Sequence, residues 1–320
     1  FDKLRLVRDH IRSSEVEEVL AAAAPLAASP GAAHRALENS DLKFGEVRDE
    51  RGNQAQISPA TITRLTASPM RSVRRDAWHA YSDAYLSVKN TFAAALAGGI
   101  KRDVFFARAR GYPSAREATM LPKQIPTLVF DNLISVVRAH LPLWHRYWEV
   151  RRRALGVDTL EPYDLHVPLA TAEEPVDFAA AVELLAEGLA PLGNEYVEVA
   201  RRGLTTQRWV DKYANLGKRG GAFSTGAYGT RPFIMMSYQD SLLSMSTLAH
   251  ELGHSMHTWL TWRHQPAIYE NYSMFVAETA SNFNQALMRA FLLRRAGEQG
   301  AGERFRVAVI EEGMANFHRY

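Results

Sequence analysis

The stretch His250-Glu251-Leu252-Gly253-His254, HELGH, lies inside the run TLAHELGHSMHTWL at residues 247–260. Two histidines four positions apart project from one face of an α-helix, so both imidazoles can bind the same Zn²⁺. In this HExxH pattern the intervening glutamate, Glu251, acts as a general base. The simpler interpretation is a polar helix face without a metal. The motif indicates a zinc hydrolase, although by itself it is only moderately specific.

The residues around the motif predict an amphipathic helix. Apolar side chains recur at helical spacing on one side, namely Met245, Leu248, Leu252, Met256 and Trp259. The histidines at 250, 254 and 257 fall on the opposite side. No proline interrupts residues 241–264, and Ser244 or Ser246 is predicted to cap the start of the helix.

A hydrolytic zinc site needs a third protein ligand and one open position. His257 is a poor candidate because it lies about 10 Å along the helix axis from His250. The elongated HExxHxxGxxH motif is also absent, because position 257 is not glycine. The remaining candidates are the carboxylates of Glu270 and Glu278. We favour Glu278, which lies in a predicted second helix among small and apolar residues, where an unpaired carboxylate is costly to bury.

A glycine-rich segment, residues 217–238, precedes the motif and predicts a hairpin followed by a strand at residues 233–238. It lacks the GxxxxGK[ST] pattern of a phosphate-binding loop. The simpler interpretation is a structural hairpin. The functional interpretation is a sheet edge beside the metal, where an extended peptide pairs its backbone. The predicted substrate-binding residues are Phe233, Ile234, Met235, Met236, Tyr238 and His257.

The rest of the chain predicts a mostly α-helical protein with a small sheet. We expect two domains, an N-terminal helical domain with a short hairpin at residues 1–70 and a catalytic domain at residues 71–320. The predicted elements are helices within residues 1–28, a hairpin at 42–56, helices opened by Ser58-Pro59 and Ser68-Pro69, a long helical stretch at 71–156 broken at Gly98-Gly99 and at 111–114, an extended segment at 161–169, a helix started at 172–175 and a helix at 304–320. Because the chain opens on Phe1 and closes inside a helix, we expect both domains to be incomplete pieces of a longer protein.

Composition excludes several classes of protein. The 320 residues include 38 Lys and Arg against 35 Asp and Glu, a net charge of +3, which is too small to indicate nucleic-acid or membrane-surface binding. The absence of cysteine excludes disulfides and thiolate metal sites. No apolar stretch is long enough to cross a bilayer. Composition leaves the oligomeric state open.

An ordered set of motifs resembles a known family. HELGHSMH is followed by FVAETAS at residues 275–281 and preceded by YDL with VPL at 163–169, KRGGAFS at 218–224 and SYQDS at 237–241. Together they resemble the thimet oligopeptidase and oligoendopeptidase F family of zinc peptidases, in particular its oligoendopeptidase F branch. The resemblance extends over about residues 42–320 and is far more specific than the metal motif alone.

The resemblance implies a multi-helical fold with a small sheet beside a deep substrate channel. It implies cytoplasmic cleavage of short peptides, because the channel excludes folded proteins. One zinc ion per chain is expected, with His250, His254 and Glu278 as ligands and Glu251 as general base. Family members are longer and carry a later segment, rich in tyrosine and histidine, that helps to stabilise the transition state.

The predicted function is that of a metalloendopeptidase, which hydrolyses oligopeptides by a zinc-activated water with Glu251 as base. Within the enzymes, the alternative is a zinc carboxypeptidase of similar helical fold. Outside the enzymes, the alternative is a noncatalytic peptide-binding scaffold with a structural zinc. The intact Glu251 argues against the scaffold, because a structural zinc site needs no base.

Overall fold

The structure, a computed structural model, describes residues 2–59, 61–170, 175–213, 218, 221–298 and 302–318. The chain divides into two compact units, Phe1–Val167 and Pro168–Tyr320. Both units are mostly helical, as the sequence predicts. Among the described helices, none combines the length and the apolar character required to span a bilayer.

The first unit consists of helices and one two-stranded hairpin. Its helices are α1 (Asp2–Val7), α2 (Ser14–Ala27), α3 (Ser29–Ala36), α4 (Ile62–Thr66), α5 (Arg71–Ser87), α6 (Lys89–Ala109), α7 (Ala115–Met120) and α8 (Thr127–Ala154), with short 3-10 or π turns at Arg8–His10, Leu37–Asp41, Leu121–Lys123 and Pro162–Asp164. Strands β1 (Glu46–Arg48) and β2 (Gln54–Gln56) pair antiparallel, with Val47 opposite Ala55. The predicted hairpin is confirmed, and its turn contains Gly52 at φ +80°, a conformation that favours glycine.

A small apolar core joins the hairpin to α4 and α5. Its buried members are Phe44, Ala55, Ile57, Leu65, Val73 and Ala77. These residues lie on both sides of the predicted domain boundary at residue 70. The two compact units instead divide between Val167 and Pro168. The assignment of residues 71–320 to a catalytic domain stays a prediction.

A predicted helix break and a predicted helix start in this unit differ from the structure. The break predicted at Gly98-Gly99 is wrong, because α6 continues through both glycines. A Cβ atom on Gly98 would lie 2.8 Å from Cγ of Pro30, so this glycine permits close packing of α6 on α3. The helix predicted to open at Ser58-Pro59 begins only at Ile62.

The segment predicted to be extended at residues 161–169 instead begins with a turn that buries a charged group. The Asp164 carboxylate is fully buried and accepts hydrogen bonds from Arg71 Nη2 and Arg74 Nη2, both at 2.8 Å. Burial opposes ionisation of Asp164, yet the two guanidinium groups hold its pKa below the usual range.

The second unit contains α9 (Phe178–Gly188), α10 (Asn194–Leu204), α11 (Leu242–His264), α12 (Met274–Glu298) and α13 (Glu303–His318), with 3-10 turns at Ala190–Leu192 and Ala267–Tyr269. The predicted helix start at residues 172–174 lies outside the described residues. Helix α9 begins at Phe178, where Asp177 Oδ1 accepts a hydrogen bond from Ala180 N at 2.8 Å. The terminal helix predicted at residues 304–320 corresponds to α13.

A three-stranded sheet lies beside α11, as predicted. Strands β3 (Val210–Asp211), β4 (Phe223–Thr225) and β5 (Phe233–Met235) follow the order β3-β5-β4, with β3 parallel and β4 antiparallel to β5. Residues 217, 219 and 220 of the glycine-rich segment lie outside the described residues. The hydroxyl groups of Ser224 and Ser255 are hydrogen bonded at 2.8 Å and connect β4 to α11.

Helix α11 is the centre of the second unit. The predicted helix is confirmed, but its N-cap is Ser241, whose Oγ accepts from Ser244 N. The apolar side is buried as predicted, and burial extends beyond it to small residues on other faces, such as Ala249, Gly253 and Ser255. Neighbouring elements therefore cover α11 on several sides, and the metal motif lies within a packed core.

Candidate metal centre

Helices α11 and α12 bring the three predicted ligands together. His250 and His254 lie one helical turn apart on α11, and Glu278 lies in the first turns of α12. The two Nε2 atoms are 3.2 Å apart, and Glu278 Oε2 lies 3.3 Å from His250 Nε2 and 3.6 Å from His254 Nε2. Three candidate ligand atoms from residues up to 28 positions apart thus form a nearly equilateral triangle.

This triangle fits a zinc ion. Zinc bonds of about 2.0–2.1 Å at tetrahedral angles separate neighbouring ligand atoms by about 3.3 Å, close to the observed spacing. Two imidazole nitrogens and one carboxylate oxygen form the donor set of a hydrolytic zinc site with one position left for water. Within the described ranges, these residues form the one group of three or more His, Cys, Asp or Glu side chains that could hold a metal ion.

The close approach of α11 and α12 depends on a glycine. A Cβ atom on Gly253 would lie 2.7 Å from Ser281 Cα and 2.8 Å from the Ala280 carbonyl oxygen. Real Cβ atoms do not approach backbone atoms so closely, and the backbone of α12 cannot rotate away as a side chain can. The glycine between the two histidines therefore sets the distance at which Glu278 meets them.

Gly253→Ala is expected to move α12 away from α11, to destabilise the fold by about 1–3 kcal/mol through overpacking, and to weaken zinc binding. Gly297→Ala is the matched control on α12, because a Cβ atom there has no neighbour within 4 Å. Denaturant unfolding and chelator competition measure the two effects. Unchanged zinc affinity in a folded Gly253→Ala variant would contradict the role assigned to the helix spacing.

Glu251 is buried next to the triangle, with 6% of its surface exposed. Burial raises the pKa of its carboxyl to about 7, the Glu278 carboxylate adds to this effect, and a hydrogen bond from the Ser224 backbone opposes it. Within the described chain, Glu251 Oε2 has no hydrogen-bond partner. A buried carboxylate oxygen without a protein partner is costly, and it is placed to accept a hydrogen bond from a water or a substrate.

The histidine cluster divides into two ligand candidates and one separate residue. Burial lowers the pKa of His254, and the neighbouring His250 acts in the same direction. His257 does not join the triangle; its ring stacks on Tyr272 at a centroid distance of 4.0 Å. Burial lowers the pKa of His257 as well, so its imidazole favours the neutral form.

The cost of burial favours Glu278 over Glu270 in the sequence, and the structure gives a different reason for the same preference. The Glu278 side chain is 37% exposed, so the cost of burying it does not distinguish the two carboxylates. Glu278 meets the histidines because of where α12 begins and how closely it packs on α11. Ser281 Oγ, one turn further along α12, donates a 2.9 Å hydrogen bond to Glu278 Oε2 and orients it.

The predicted substrate strand is not a sheet edge. Strand β5 lies between β3 and β4, and Ile234 N and Met236 N donate to Trp209 O and Asp211 O at 2.7 and 3.1 Å. The prediction that a peptide pairs its backbone with this strand is therefore wrong, because neighbouring strands occupy both sides. The sequence showed a strand but could not show its neighbours.

The side chains of residues 233–238 differ in their exposure, and therefore in whether a ligand could contact them. Ile234, Met235 and Met236 are buried, whereas Phe233 is 41% exposed. The Tyr238 hydroxyl donates to the Val176 carbonyl at 2.9 Å, so it is already engaged. A substrate-binding role for these side chains and for His257 stays a prediction.

Sequence reasoning missed a residue that contacts a ligand candidate directly. His250 Nδ1 lies 2.9 Å from Gln285 Oε1 on α12. Gln285 follows Glu278 by seven residues, two helical turns, so both side chains lie on the same face of α12. That spacing was the signal that could have identified it.

Comparison with known proteins agrees with this geometry. The sequence profile of peptidase family M3 matches residues 64–317, and a second profile, described as Oligopeptidase F, matches residues 1–44. The chain belongs to peptidase family M3. This M3 chain is 42% identical over 311 residues to oligopeptidase PepF of Bacillus subtilis, with 97% of the chain and 46% of that relative covered. It is 34% identical to group B oligopeptidase PepB of Streptococcus agalactiae, with 99% of the chain and 52% of the relative covered.

Solved structures that are similar to this chain have the same fold. A protein from Chlamydophila abortus described as a peptidase superposes with a TM-score of 0.82 at 33% identity, covering 99% of this chain and 52% of that one. Oligoendopeptidase-F from Enterococcus faecium superposes with a TM-score of 0.70 at 31% identity, covering 97% and 48%. The chain spans about half the length of the curated relatives that it matches.

Proposed function

We propose that the protein is a zinc metalloendopeptidase that hydrolyses short peptides in the cytoplasm. The observation that supports this most directly is the triangle of His250 Nε2, His254 Nε2 and Glu278 Oε2 beside the unpartnered Glu251 Oε2. Membership of peptidase family M3 and similarity to named oligopeptidases support the substrate class. One zinc ion per chain belongs to this proposal.

The roles of the residues follow from their chemistry. His250, His254 and Glu278 would hold the zinc ion, which would supply Lewis acidity to polarise a peptide carbonyl and to lower the pKa of a water. Glu251 accepts a proton from the attacking water and passes it to the leaving amine. Ser281 holds the Glu278 carboxylate, and Gly253 sets the spacing of the two helices.

We place the backbone of an extended substrate along β4, which among the described strands has a neighbour on one side only. Because Ile234 and Met236 direct their N–H groups to the β3 side, Phe223 and Thr225 are the residues of β4 that bond to β5. The backbone groups of Ser224 therefore point away from β5, and its N–H already donates to Glu251. The Ser224 carbonyl is available to accept a hydrogen bond from a peptide beside Glu251.

A peptide substrate that is N-methylated at the residue facing Ser224 lacks the N–H donor to this carbonyl. Its KM is expected to be about 2–10-fold higher, the value of one hydrogen bond of about 0.5–1.5 kcal/mol. The same peptide methylated at the next residue is the control, because successive groups of an extended chain point to opposite sides. Equal KM values for the two methylated peptides in steady-state kinetics would contradict pairing at Ser224.

Digestion of a defined peptide mixture, with and without a chelator, tests the proposed function. An endopeptidase releases internal fragments, and a chelator abolishes the cleavage. Release of single C-terminal residues would identify the alternative zinc carboxypeptidase. Binding of peptides without any cleavage by the zinc-loaded protein would identify a noncatalytic scaffold and refute the proposal.

A further inference from the structure

A buried chain of polar side chains connects the metal centre to α13. His250 Nδ1 lies 2.9 Å from Gln285 Oε1, and Gln285 Nε2 donates to Ser246 Oγ at 2.9 Å. Ser246 Oγ donates to Glu312 Oε1 at 2.5 Å, and Glu312 Oε2 accepts from Arg289 Nη2 at 3.2 Å. Gln285 and Ser246 are 6% and 7% exposed, so water cannot readily replace these contacts.

The ion pair between Arg289 and Glu312 fixes the direction of every hydrogen bond between Glu312 and His250. The Glu312 carboxylate, paired with Arg289, can only accept, so Ser246 must donate its hydroxyl proton to it. The Ser246 oxygen then accepts, which turns the Gln285 NH₂ group toward it. Gln285 consequently presents its carbonyl oxygen to His250.

A carbonyl oxygen beside His250 Nδ1 requires that the proton of the neutral imidazole be on Nδ1. The lone pair is then on Nε2, the atom that faces His254 and Glu278. If Glu312 were neutral and able to donate, the chain could reverse: Ser246 could donate to Gln285, and the Gln285 amide could donate to Nδ1. In that state His250 would carry its proton on Nε2, where it cannot bind a metal.

We propose that Glu312 and Arg289 are positioning residues, which hold His250 in the tautomer that binds zinc through the relay Gln285–Ser246–Glu312–Arg289. The inference rests on the zinc site of the proposed function. It also assigns a role to Gly313: a Cβ atom there would lie 2.5 Å from Arg289 Nε, so glycine lets Arg289 cross α13 and reach Glu312. Zinc affinity is thereby coupled to the packing of α13 on α11 and α12.

The first test replaces the carboxylate that fixes the direction by an amide of the same size. Glu312→Gln is expected to raise the zinc dissociation constant about 10–100-fold, the range measured for outer partners of metal-binding histidines. Chelator competition measures it independently of catalysis. Glu311→Gln is the matched control on the same helix, because it makes the same chemical change at a carboxylate that accepts from the Leu169 backbone N–H. It should leave zinc affinity unchanged.

Repeating Glu312→Gln in a protein that also carries Gln285→Glu distinguishes control of the His250 tautomer from a merely structural role of Glu312. In Gln285→Glu, the residue next to His250 Nδ1 is a carboxylate, which can only accept a hydrogen bond from the Nδ1–H group, whatever lies beyond it. Zinc affinity should stay near the wild-type value, and adding Glu312→Gln should have no further effect. An equal loss of affinity from Glu312→Gln in both backgrounds would overturn the proposal.

Two further measurements test the proposal without the Glu312→Gln variant, in case that variant does not fold. Ser246→Ala breaks the relay without touching the ion pair and should also raise the dissociation constant about 10-fold or more. Ser255→Ala on the same helix is its control. In zinc-free protein with ¹⁵N-labelled histidine, the ring nitrogen shifts of His250 should report a proton on Nδ1 in the wild type and a mixture in Ser246→Ala.

The outcomes separate this inference from the proposed function. Wild-type protein that binds no zinc would refute the metal site itself, whatever the relay does. Wild-type protein that binds zinc, with unchanged affinity and unchanged His250 tautomer in Ser246→Ala, would refute the relay alone.

Discussion

Glu251→Gln is expected to lower kcat/KM for a short peptide by about 10²–10⁴-fold while zinc content stays at the wild-type level. Glutamine has the same size as glutamate and can occupy the same buried position, but an amide cannot accept a proton from water. Because Glu251 does not belong to the triangle of ligand atoms, removing its charge leaves those atoms in place. Glu251→Gln therefore separates zinc binding from proton transfer.

The measurement is kcat/KM at matched zinc content, together with the zinc content itself. Glu195→Gln makes the same chemical change at an exposed carboxylate, paired with Arg263, and should keep wild-type activity. Activity near the wild-type level in Glu251→Gln would refute the general base. Loss of zinc in that variant would show instead that Glu251 is a ligand.

The second large effect concerns the third ligand. Glu278→Gln is expected to weaken zinc binding by more than the roughly 10–100-fold typical of outer-sphere partners, because it removes the one anionic donor of the triangle. The neutral amide oxygen is a poorer donor than the carboxylate oxygen, which lies 3.3 Å from His250 Nε2. Peptide hydrolysis should fall in parallel and should recover in part when zinc is added in excess.

Glu270→Gln provides the matched comparison, because Glu270 was the competing candidate and lies just after the turn Ala267–Tyr269. It should keep both zinc and activity. Zinc loss in Glu270→Gln with zinc retained in Glu278→Gln would reverse the assignment. Equilibrium dialysis against a zinc buffer measures all three proteins under identical conditions.

The parts of the site that sequence could predict are those set by local helical geometry. A spacing of four places His250 and His254 on one face of any helix, so their proximity needed no tertiary information. The prediction of Glu278 depends on a second helix and on the cost of burying a carboxylate, but its side chain is 37% exposed. What decides the contact is Gly253, whose missing side chain lets two backbones meet.

The parts that sequence could not predict depend on contacts between distant residues. Residues 233–235 form a strand as predicted, but only the pairing with β3 and β4 shows that it is central and that β4 is the edge. The relay from His250 to Glu312 joins residues 35–66 positions apart, with no local pattern to reveal it. Gly98 likewise suggested a break until its packing against Pro30 was known.

A crystal structure of the zinc-loaded protein, with anomalous diffraction measured at the zinc absorption edge, tests the metal site most directly. The expected result is a single strong anomalous peak per chain, about 2.0–2.2 Å from His250 Nε2, His254 Nε2 and a carboxylate oxygen of Glu278, with Glu251 outside bonding distance. No peak at this position, or a peak bonded to Glu251 or Glu270 in place of Glu278, would contradict it.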